Sequence, residues 1–271
     1  MSAEPQTVRQ KTGAPGHASN GWRVVAAYGL LAAVTQMLWL TFAAITTETA
    51  KRYGVSEGAV GWLSEIFPLL YVLLAIPAGA LLDRWFRPVL AAGGLLVAVG
   101  GLIRLGNTFA WAMTGQVLIA VAQPVVMSAV SKLAGEYLPA NQRASGIAVG
   151  SAGGFVGMLV ALLLGPLVGG EHLALLLAIQ GAIGAVGALV LAVELRRRPD
   201  FAGDSSEQLS VARGSVKTLW AQPAMRILCA LAFLGFGVFV ALATWLQTLL
   251  HPDGISETTA GGLLVGMIVA G

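Results

Sequence analysis

The chain has 271 residues, of which 56% are hydrophobic and 11% are charged, with a mean hydropathy of +0.79 and a net charge of +3. Because soluble domains carry about 25% charged residues, this composition excludes an ordinary soluble domain and indicates a polytopic helical membrane protein. Cys229 is the single cysteine, so no intramolecular disulfide or cysteine metal cluster can form, and a packing role is expected for it.

The order of apolar and polar segments predicts an all-α protein with eight membrane spans. Residues 1–21 lack an apolar stretch, which excludes a signal peptide and predicts a disordered cytoplasmic tail. Apolar segments near the roughly 20 residues needed to cross a bilayer follow. The predicted spans are residues 22–45, 58–82, 89–105, 110–131, 144–168, 173–195, 223–250 and 258–271, the last being too short to cross.

Basic residues cluster in alternate loops, and this asymmetry predicts the orientation in the membrane. The arginine-rich side contains the N-terminus and the loop that begins at Arg196, so both are expected to be cytoplasmic. The clusters are short and separated by apolar runs, which indicates orientation rather than nucleic-acid binding. We expect an integral multi-pass protein of the bacterial inner membrane.

A short repeat divides the chain into two parts. Gly54-Val-Ser-Glu57 and Gly61 reappear as Gly254-Ile-Ser-Glu257 and Gly261, at a constant offset of 200 residues. This pattern predicts parallel repeats, with a six-helix bundle at residues 22–195, a cytoplasmic linker at 196–222 and the start of a second bundle at 223–271. A second repeat of equal length would extend to about residue 395, so a truncated chain is predicted.

The turn after the second span carries a recognisable motif. Gly79, Asp83, Arg84 and Arg87 lie in a stretch that resembles the G-x-L-x-D-R-x-G-R signature of the major facilitator superfamily, with Phe86 in place of the second glycine. The resemblance implies two six-helix bundles that rock about a central site, with these four residues in gating. The alternative is a simple helix-ending turn in which Asp83 caps free N–H groups and the arginines reach the interface.

The fifth span is rich in glycine. Its glycines at 146, 150, 153, 154 and 157 predict close approach of another helix through small-residue faces. The stretch Gly165-Pro-Leu-Val-Gly-Gly that follows is similar to the end of the antiporter motif of the same superfamily. Tight packing is the interpretation that the residues support directly.

The first hairpin also resembles the feline leukaemia virus subgroup C receptor family of haem and choline transporters. The similar stretches are Trp39-Leu-Thr-Phe-Ala-Ala-Ile, Tyr53-Gly-Val, Gly61-Trp-Leu-Ser and Ala122-Gln123. The resemblance implies that Trp39 and Gln123 line a choline site, with the indole as a platform for the quaternary ammonium. Phe236 is the nearest residue to a tyrosine that the family carries on its seventh helix.

Amides and aromatic residues at mid-membrane depth predict a solute pocket, because polar side chains in hydrocarbon need a partner or line a path. The predicted pocket residues are Gln36, Trp39, Gln116, Gln123, Gln180, Phe236 and Phe239. By the offset of 200, Phe239 is the counterpart of Trp39, and the two rings could hold a cation between them. Core packing or lipid contact is the alternative for both rings.

One acidic residue, Glu65, lies well inside an apolar span. Desolvation makes it a candidate for proton coupling or for a counter-ion, and Arg104 at the outer end of the third span is its candidate partner. The alternative is a hydrated carboxylate in an outer vestibule.

These features predict a secondary transporter or facilitator that moves a small organic solute, with an organic cation as a candidate, by alternating access. The alternative is a non-transporting membrane protein, either receptor-like or an inactive fragment. The chain shows no nucleotide-binding loop, catalytic set or metal-ligand spacing, so we expect no enzyme activity, cofactor or metal. The expected partners are the solute and the lipid bilayer, not nucleic acid, and the pattern says nothing about oligomeric state.

Overall fold

A computed structural model describes residues 15–201 and 220–270, and this part of the chain is helical, with no strand in it. Residues 1–14 of the predicted tail and residues 202–219 of the predicted linker lie outside the described residues. The helices are α1 (Pro15–Trp39), α2 (Thr46–Tyr53), α3 (Glu57–Arg84), α4 (Phe86–Ile103), α5 (Phe109–Ser128), α6 (Val130–Tyr137), α7 (Arg143–Leu164), α8 (Gly170–Glu194), α9 (Pro223–Leu250) and α10 (Glu257–Ala270).

Within the described ranges, six helices are long and apolar enough to cross a membrane: α3, α4, α5, α7, α8 and α9. Thr258–Val269 in α10 is a shorter apolar helix. Helix α1, predicted as the first span, is not one of the six because Arg23, Thr35 and Gln36 lower its hydropathy. It lies at the centre of the first bundle, where most of its side chains are buried.

The first helix differs from the prediction at both ends. It begins at Pro15, so residues 15–21 are helical rather than part of a disordered tail. It ends at Trp39, and residues 40–45, which were predicted to continue the span, form an irregular turn before α2. In this turn a side-chain hydroxyl replaces a backbone donor, since Thr46 donates its hydroxyl proton to the carbonyl oxygen of Phe42 over 3.1 Å.

The glycines of α7 place its backbone against α1. A Cβ at Gly153 would lie 2.3 Å from the carbonyl oxygen of Gly29, and one at Gly157 would lie 1.9 Å from that of Ala33. These backbone atoms cannot move aside, so both positions require glycine, and the predicted close packing is confirmed. After α7, Gly165–Gly169 form a single π-helical turn that leads directly into α8.

The two copies of the repeated turn have the same local structure. Gly54 and Gly254 have φ of 66° and 76°, in the left-handed region, and each ends a helical turn. Ser56 and Ser256 then accept from backbone N–H groups three residues later, as N-cap residues do. We call the side of the molecule that holds Gly54 and Gly254 the turn end, and the opposite side the linker end.

Helices α1 to α8 form the first bundle, and α9 and α10 form a second group. On α9 the buried residues are Val240, Ala243, Thr244 and Gln247, all in the half near the turn end. Residues 226–238, nearer the linker end, are exposed. The second group therefore contacts the first bundle at the turn end. Toward the linker end, a space separates the second group from the first bundle.

Candidate functional site: a cavity between two helix groups

The space between the first bundle and the second group is a cavity of about 830 Å³. It lies between α1, α5 and α7 on one side and α9 and α10 on the other, and its volume is typical of small-molecule sites. Its described lining residues are aromatic, aliphatic and sulfur-containing, with Gln36, Ser151 and Tyr28 as polar members and with no charged side chain. Such a lining suits a solute that is held by dispersion, aromatic faces and a few hydrogen bonds.

Two of the predicted glutamines meet at this cavity, and we call them the cavity pair. Gln123 Nε2 on α5 donates to Gln36 Oε1 on α1 over 2.8 Å, and Gln36 lines the cavity. Gln36 is 8% exposed and Gln123 is 5% exposed. The bond uses one donor of Gln123 and one acceptor site of Gln36, which leaves the amide of Gln36 able to bind a solute.

Two phenylalanines form the aromatic side of the cavity on α9. The rings of Phe236 and Phe239 stack with their centroids 6.0 Å apart and an interplanar angle of 29°. Both line the cavity. An aromatic face within about 6 Å attracts a cation, which makes this pair a candidate platform for an organic cation.

Trp39 is in a different place from its repeat counterpart Phe239. Its ring is buried beside Phe67, with 6.3 Å between the centroids, and it is not among the described residues that line the cavity. The indole Nε1 donates to the carbonyl oxygen of Ser64 over 3.0 Å. Pro68 is four residues after Ser64 and has no N–H, so it leaves this carbonyl free, and Trp39 completes the hydrogen bonding of α3.

The other two glutamines, Gln116 and Gln180, are not among the described residues that line the cavity, and with Arg104 and Thr41 they form what we call the buried cluster. Arg104, Gln116, Gln180 and Thr41 are each 1% exposed or less. Arg104 Nη2 and the Thr41 hydroxyl both donate to Gln180 Oε1, over 3.2 and 2.7 Å. The guanidinium also lies over the ring of Phe42, 5.0 Å from its centroid.

The carbonyl oxygen of Leu38 is the centre of this cluster. It lies at the end of α1 and accepts from Gln116 Nε2 over 3.3 Å and from Arg104 Nη1 over 3.5 Å. Gln116 Nε2 also donates to the carbonyl oxygen of Leu63 over 2.9 Å, so it links α1 to α3. Side chains from α5 and from Arg104, which directly follows α4, thus stabilise the point where α1 stops.

Glu65 and Arg104 do not form the pair that their positions suggested. In the described part of the chain no salt bridge joins them, because the donors of Arg104 are directed to Leu38 and Gln180. Glu65 is partly exposed on α3. A role for either residue in coupling stays a prediction.

The charged turn at the linker end lies between α3 and α4. Asp83 does not cap α4, whose N-cap position is Trp85 and has no side-chain hydrogen bond. Instead Lys132 Nζ donates to the carbonyl oxygens of Leu82 and Asp83, each over 2.9 Å, and lies 3.9 Å from the Asp83 carboxylate. This lysine satisfies carbonyl groups at the end of α3, a role expected near a helix C-terminus.

The two arginines of this turn have separate contacts. Arg87 Nη2 donates to the carbonyl oxygen of Leu195 at the end of α8, and Arg84 lies over the Trp85 ring, 4.7 Å from its centroid. A Cβ at Gly79 would meet nothing within 4 Å, so the described part of the chain does not explain why glycine is there.

Several cavity residues are apolar and could not be identified from the sequence. They are Met127, Phe155, Met158 and Met267. The same apolar residue types occur on helix faces that contact lipid, the protein core or a cavity. Only the packing of the helices shows which of these three surroundings a given residue has. The contact between Thr47 and Gln247 was also missed, although the offset of 200 that identified the repeat relates these two residues as well.

Helices long enough to cross a membrane, with a cavity between two helix groups whose described lining residues carry no charge, define a helical membrane protein. The chain belongs to the Major Facilitator Superfamily, whose sequence profile matches residues 24–271. This agrees with the resemblance of the Gly79–Arg87 motif and with the all-α bundle.

Individual relatives are consistent with this family. Solute carrier family 49 member A3 of Danio rerio is 33% identical over 267 residues, which cover 92% of this chain and 56% of that protein. The choline/ethanolamine transporter FLVCR2 of Homo sapiens is 24% identical over 92% of this chain and 52% of that protein. The chain therefore spans about half the length of the curated relatives it matches.

The fold is shared with solved transporters. A bacterial homolog of the human lysosomal transporter Spinster, in an inward-facing and unoccupied conformation, superposes with a TM-score of 0.68 at 19% identity. The match covers 92% of this chain and 59% of that structure.

Proposed function

We propose that the protein is a secondary transporter that moves a small organic cation by alternating access between two helix bundles. The observation that carries this proposal is the cavity itself, which lies between two helix groups related by a sequence repeat and combines a free amide with stacked aromatic rings. Solute sites at the interface between repeats are the rule for this architecture. Of the relatives described above, FLVCR2 of Homo sapiens is named as a choline/ethanolamine transporter.

The chemistry of the lining favours a cation of the quaternary or primary ammonium class. Phe236 and Phe239 present ring faces, each of which contributes about 0.5–2 kcal/mol to cation binding when the site is desolvated. Gln36 offers a carbonyl oxygen to an ammonium or hydroxyl group. The absence of a charged residue among the described lining residues keeps affinity moderate, which allows the solute to leave on the other side.

We further propose that the linker end is cytoplasmic and that Gly79, Asp83, Arg84 and Arg87 take part in gating there. The basic residues of the described chain concentrate at this end, as the positive-inside rule requires of a cytoplasmic face. The contacts of Lys132 and Arg87 with helix ends support a turn that holds α3, α4 and α8 together. Placement in a bacterial inner membrane stays a prediction, and the relatives described above are from animals.

Uptake into proteoliposomes tests the proposal directly. We expect saturable uptake of radiolabelled choline or ethanolamine that competes with other ammonium compounds and not with carboxylates. The Phe239→Ala variant should lose affinity for the cation while the protein remains folded. Uptake of carboxylates without cations would overturn the cation assignment, and failure to bind or move any solute would favour the non-transporting alternative.

A further inference from the structure

The two helix groups are joined at the turn end by a hydrogen bond between repeat counterparts. Gln247 Nε2 on α9 donates to the Thr47 hydroxyl on α2 over 3.1 Å, and the two positions differ by 200 residues. The Thr47 hydroxyl in turn donates to Glu57 Oε1 over 2.8 Å. Thr47 and Gln247 are 5% and 1% exposed, so water competes little for the bond between them.

The offset gives this contact a particular place in the molecule. When two similar units are related by a two-fold axis, a residue contacts its own counterpart only where the axis passes between them. Thr47 and Gln247 occupy the same position in the two copies of the repeat whose turns end at Gly54 and Gly254. Their contact therefore marks the pseudo-two-fold axis at the turn end.

Two glycines that are also counterparts flank the contact. A Cβ at Gly61 on α3 would lie 2.6 Å from the ring of Trp245 on α9. A Cβ at Gly261 on α10 would lie 2.9 Å from the carbonyl oxygen of Leu162 and 3.1 Å from Pro166 Cγ. Each glycine admits a close approach of the other helix group, so the interface is tight on both sides of the axis.

We propose that Thr47, Gln247 and Glu57 form a lock that holds the turn end closed, with Gly61 and Trp245 as its packed flank. This inference rests on the proposed alternating access and names residues whose contacts must break when the cavity opens toward the turn end. The hydroxyl of Thr47 is the central element because it accepts from one helix group and donates within the other. Its removal leaves both Gln247 and Glu57 without this partner.

Crosslinking across the lock is the first test. Cys229 is the single cysteine, so Cys229→Ala provides a cysteine-free background. Thr47→Cys with Gln247→Cys should react with a short thiol crosslinker and keep the two halves joined after proteolysis within the linker. The pair Thr47→Cys with Thr248→Cys is the matched control and should crosslink less, because adjacent positions on a helix point about 100° apart. Equal crosslinking of both pairs, or none of the first, would overturn the proposal.

Accessibility of the cavity is a readout that does not require transport. Ser151→Cys places a thiol in the cavity lining. A membrane-impermeant thiol reagent added at the linker end should label this cysteine in both the crosslinked and the uncrosslinked protein. The same reagent added at the turn end should label it only in the uncrosslinked protein. Labelling from the turn end in the crosslinked protein would overturn the lock even if transport were lost.

A milder variant tests the hydrogen bond alone. Thr47→Val removes the hydroxyl at similar volume, and labelling of Ser151→Cys from the turn end should increase roughly two- to tenfold, the effect of losing one buried hydrogen bond. Thr47→Ser keeps the hydroxyl and should leave labelling unchanged. An unchanged rate in Thr47→Val would overturn the proposal.

The lock and the proposed function fail in distinguishable ways. Crosslinking that restricts labelling in a protein that transports no cation would retain the lock and refute the transport proposal. Unimpaired cation uptake by the crosslinked protein would refute the lock and retain the transport proposal. If both hold, reduction of a cleavable crosslinker should restore uptake.

Discussion

The cavity pair and the buried cluster use the same residue types at two depths of one bundle, and they differ in what surrounds them. Gln123 and Gln116 are on the same helix and both face α1. Gln123 bonds to an amide at the edge of the cavity, whereas Gln116 bonds to two backbone carbonyl oxygens that no solute reaches. We therefore expect an intramembrane glutamine to be available to a solute only where a cavity leaves part of its hydrogen-bonding capacity free.

The buried cluster stabilises an irregular backbone, and the cavity pair leaves one amide available. Substitutions in the buried cluster should change the free energy of unfolding, and substitutions in the cavity pair should change solute affinity. The variants below test this difference from the largest expected effect to the smallest.

Arg104→Ala should destabilise the protein most. It deletes a long buried side chain and its bonds to Leu38 and Gln180, with an expected loss of about 2–5 kcal/mol. Thermal unfolding in detergent micelles measures the change. Arg104→Met, which keeps an apolar stem but also lacks the guanidinium, should lose less, and the difference between the two variants reports the packing of the stem. An Arg104→Ala protein as stable as the unmodified one would show that desolvation of the charge cancels these bonds.

Gln116→Leu and Gln123→Leu form a matched pair on α5. Gln116→Leu leaves the carbonyl oxygen of Leu38 with weaker bonding and should cost about 1–3 kcal/mol. Gln123→Leu should cost less, since water in the cavity can replace its bond to Gln36, and should instead weaken solute binding. Unfolding and binding assays on both proteins separate the two effects. Equal losses of stability would contradict the distinction between the two sites.

Phe239→Leu and Trp39→Phe test the two repeat counterparts. Phe239→Leu removes one ring face and should weaken binding of an ammonium solute roughly two- to thirtyfold. Trp39→Phe loses the bond to Ser64 and part of the buried ring volume, and should reduce stability by about 1–3 kcal/mol without altering affinity. Equilibrium binding of choline measures the first and thermal unfolding the second. A large change in solute affinity in Trp39→Phe would indicate that Trp39 contacts the solute.

Glu136 on α6 provides a buried charge outside both sites. Burial raises the pKa of its carboxyl, and the charges of Lys132 and Arg87 only partly oppose this. Because the pKa of this carboxyl is higher in the folded than in the unfolded protein, its protonation stabilises the folded protein at low pH. This stabilisation is lost as the pH rises through the folded-state pKa. Glu136→Gln should therefore be slightly more stable than the unmodified protein at neutral pH, with no gain at acidic pH. Unfolding temperatures of both proteins across pH test this. A gain in stability of Glu136→Gln confined to acidic pH would contradict a raised pKa for Glu136.

Much of the fold was predictable because membrane helices and turns depend on local chemistry. Long apolar segments form helices in lipid since every backbone group must bond internally, and the spans α3, α4, α5, α7, α8 and α9 follow from length and hydropathy. The glycine repeat of α7 predicted close packing because only glycine lets two backbones touch. The left-handed turns at Gly54 and Gly254 follow from the same repeat that the sequence displays.

The division of the candidate site could not be predicted in this way. Periodicity places Gln116 and Gln123 on one helix face but does not say which faces a cavity and which faces a carbonyl group. The end of α1 at Trp39 likewise depends on Arg104 and Gln116, which are far away in sequence.

By itself, the sequence of this protein determined its class, six of its predicted membrane spans, its repeat and its superfamily motif, because these depend on composition and on residues close together along the chain. Only the tertiary structure decided that Phe236, Phe239 and Gln36 share a cavity, that Trp39 completes the bonding of α3 at Pro68, and that Thr47 meets Gln247. These are contacts between distant segments, and they depend on which helix faces approach each other when the bundle packs.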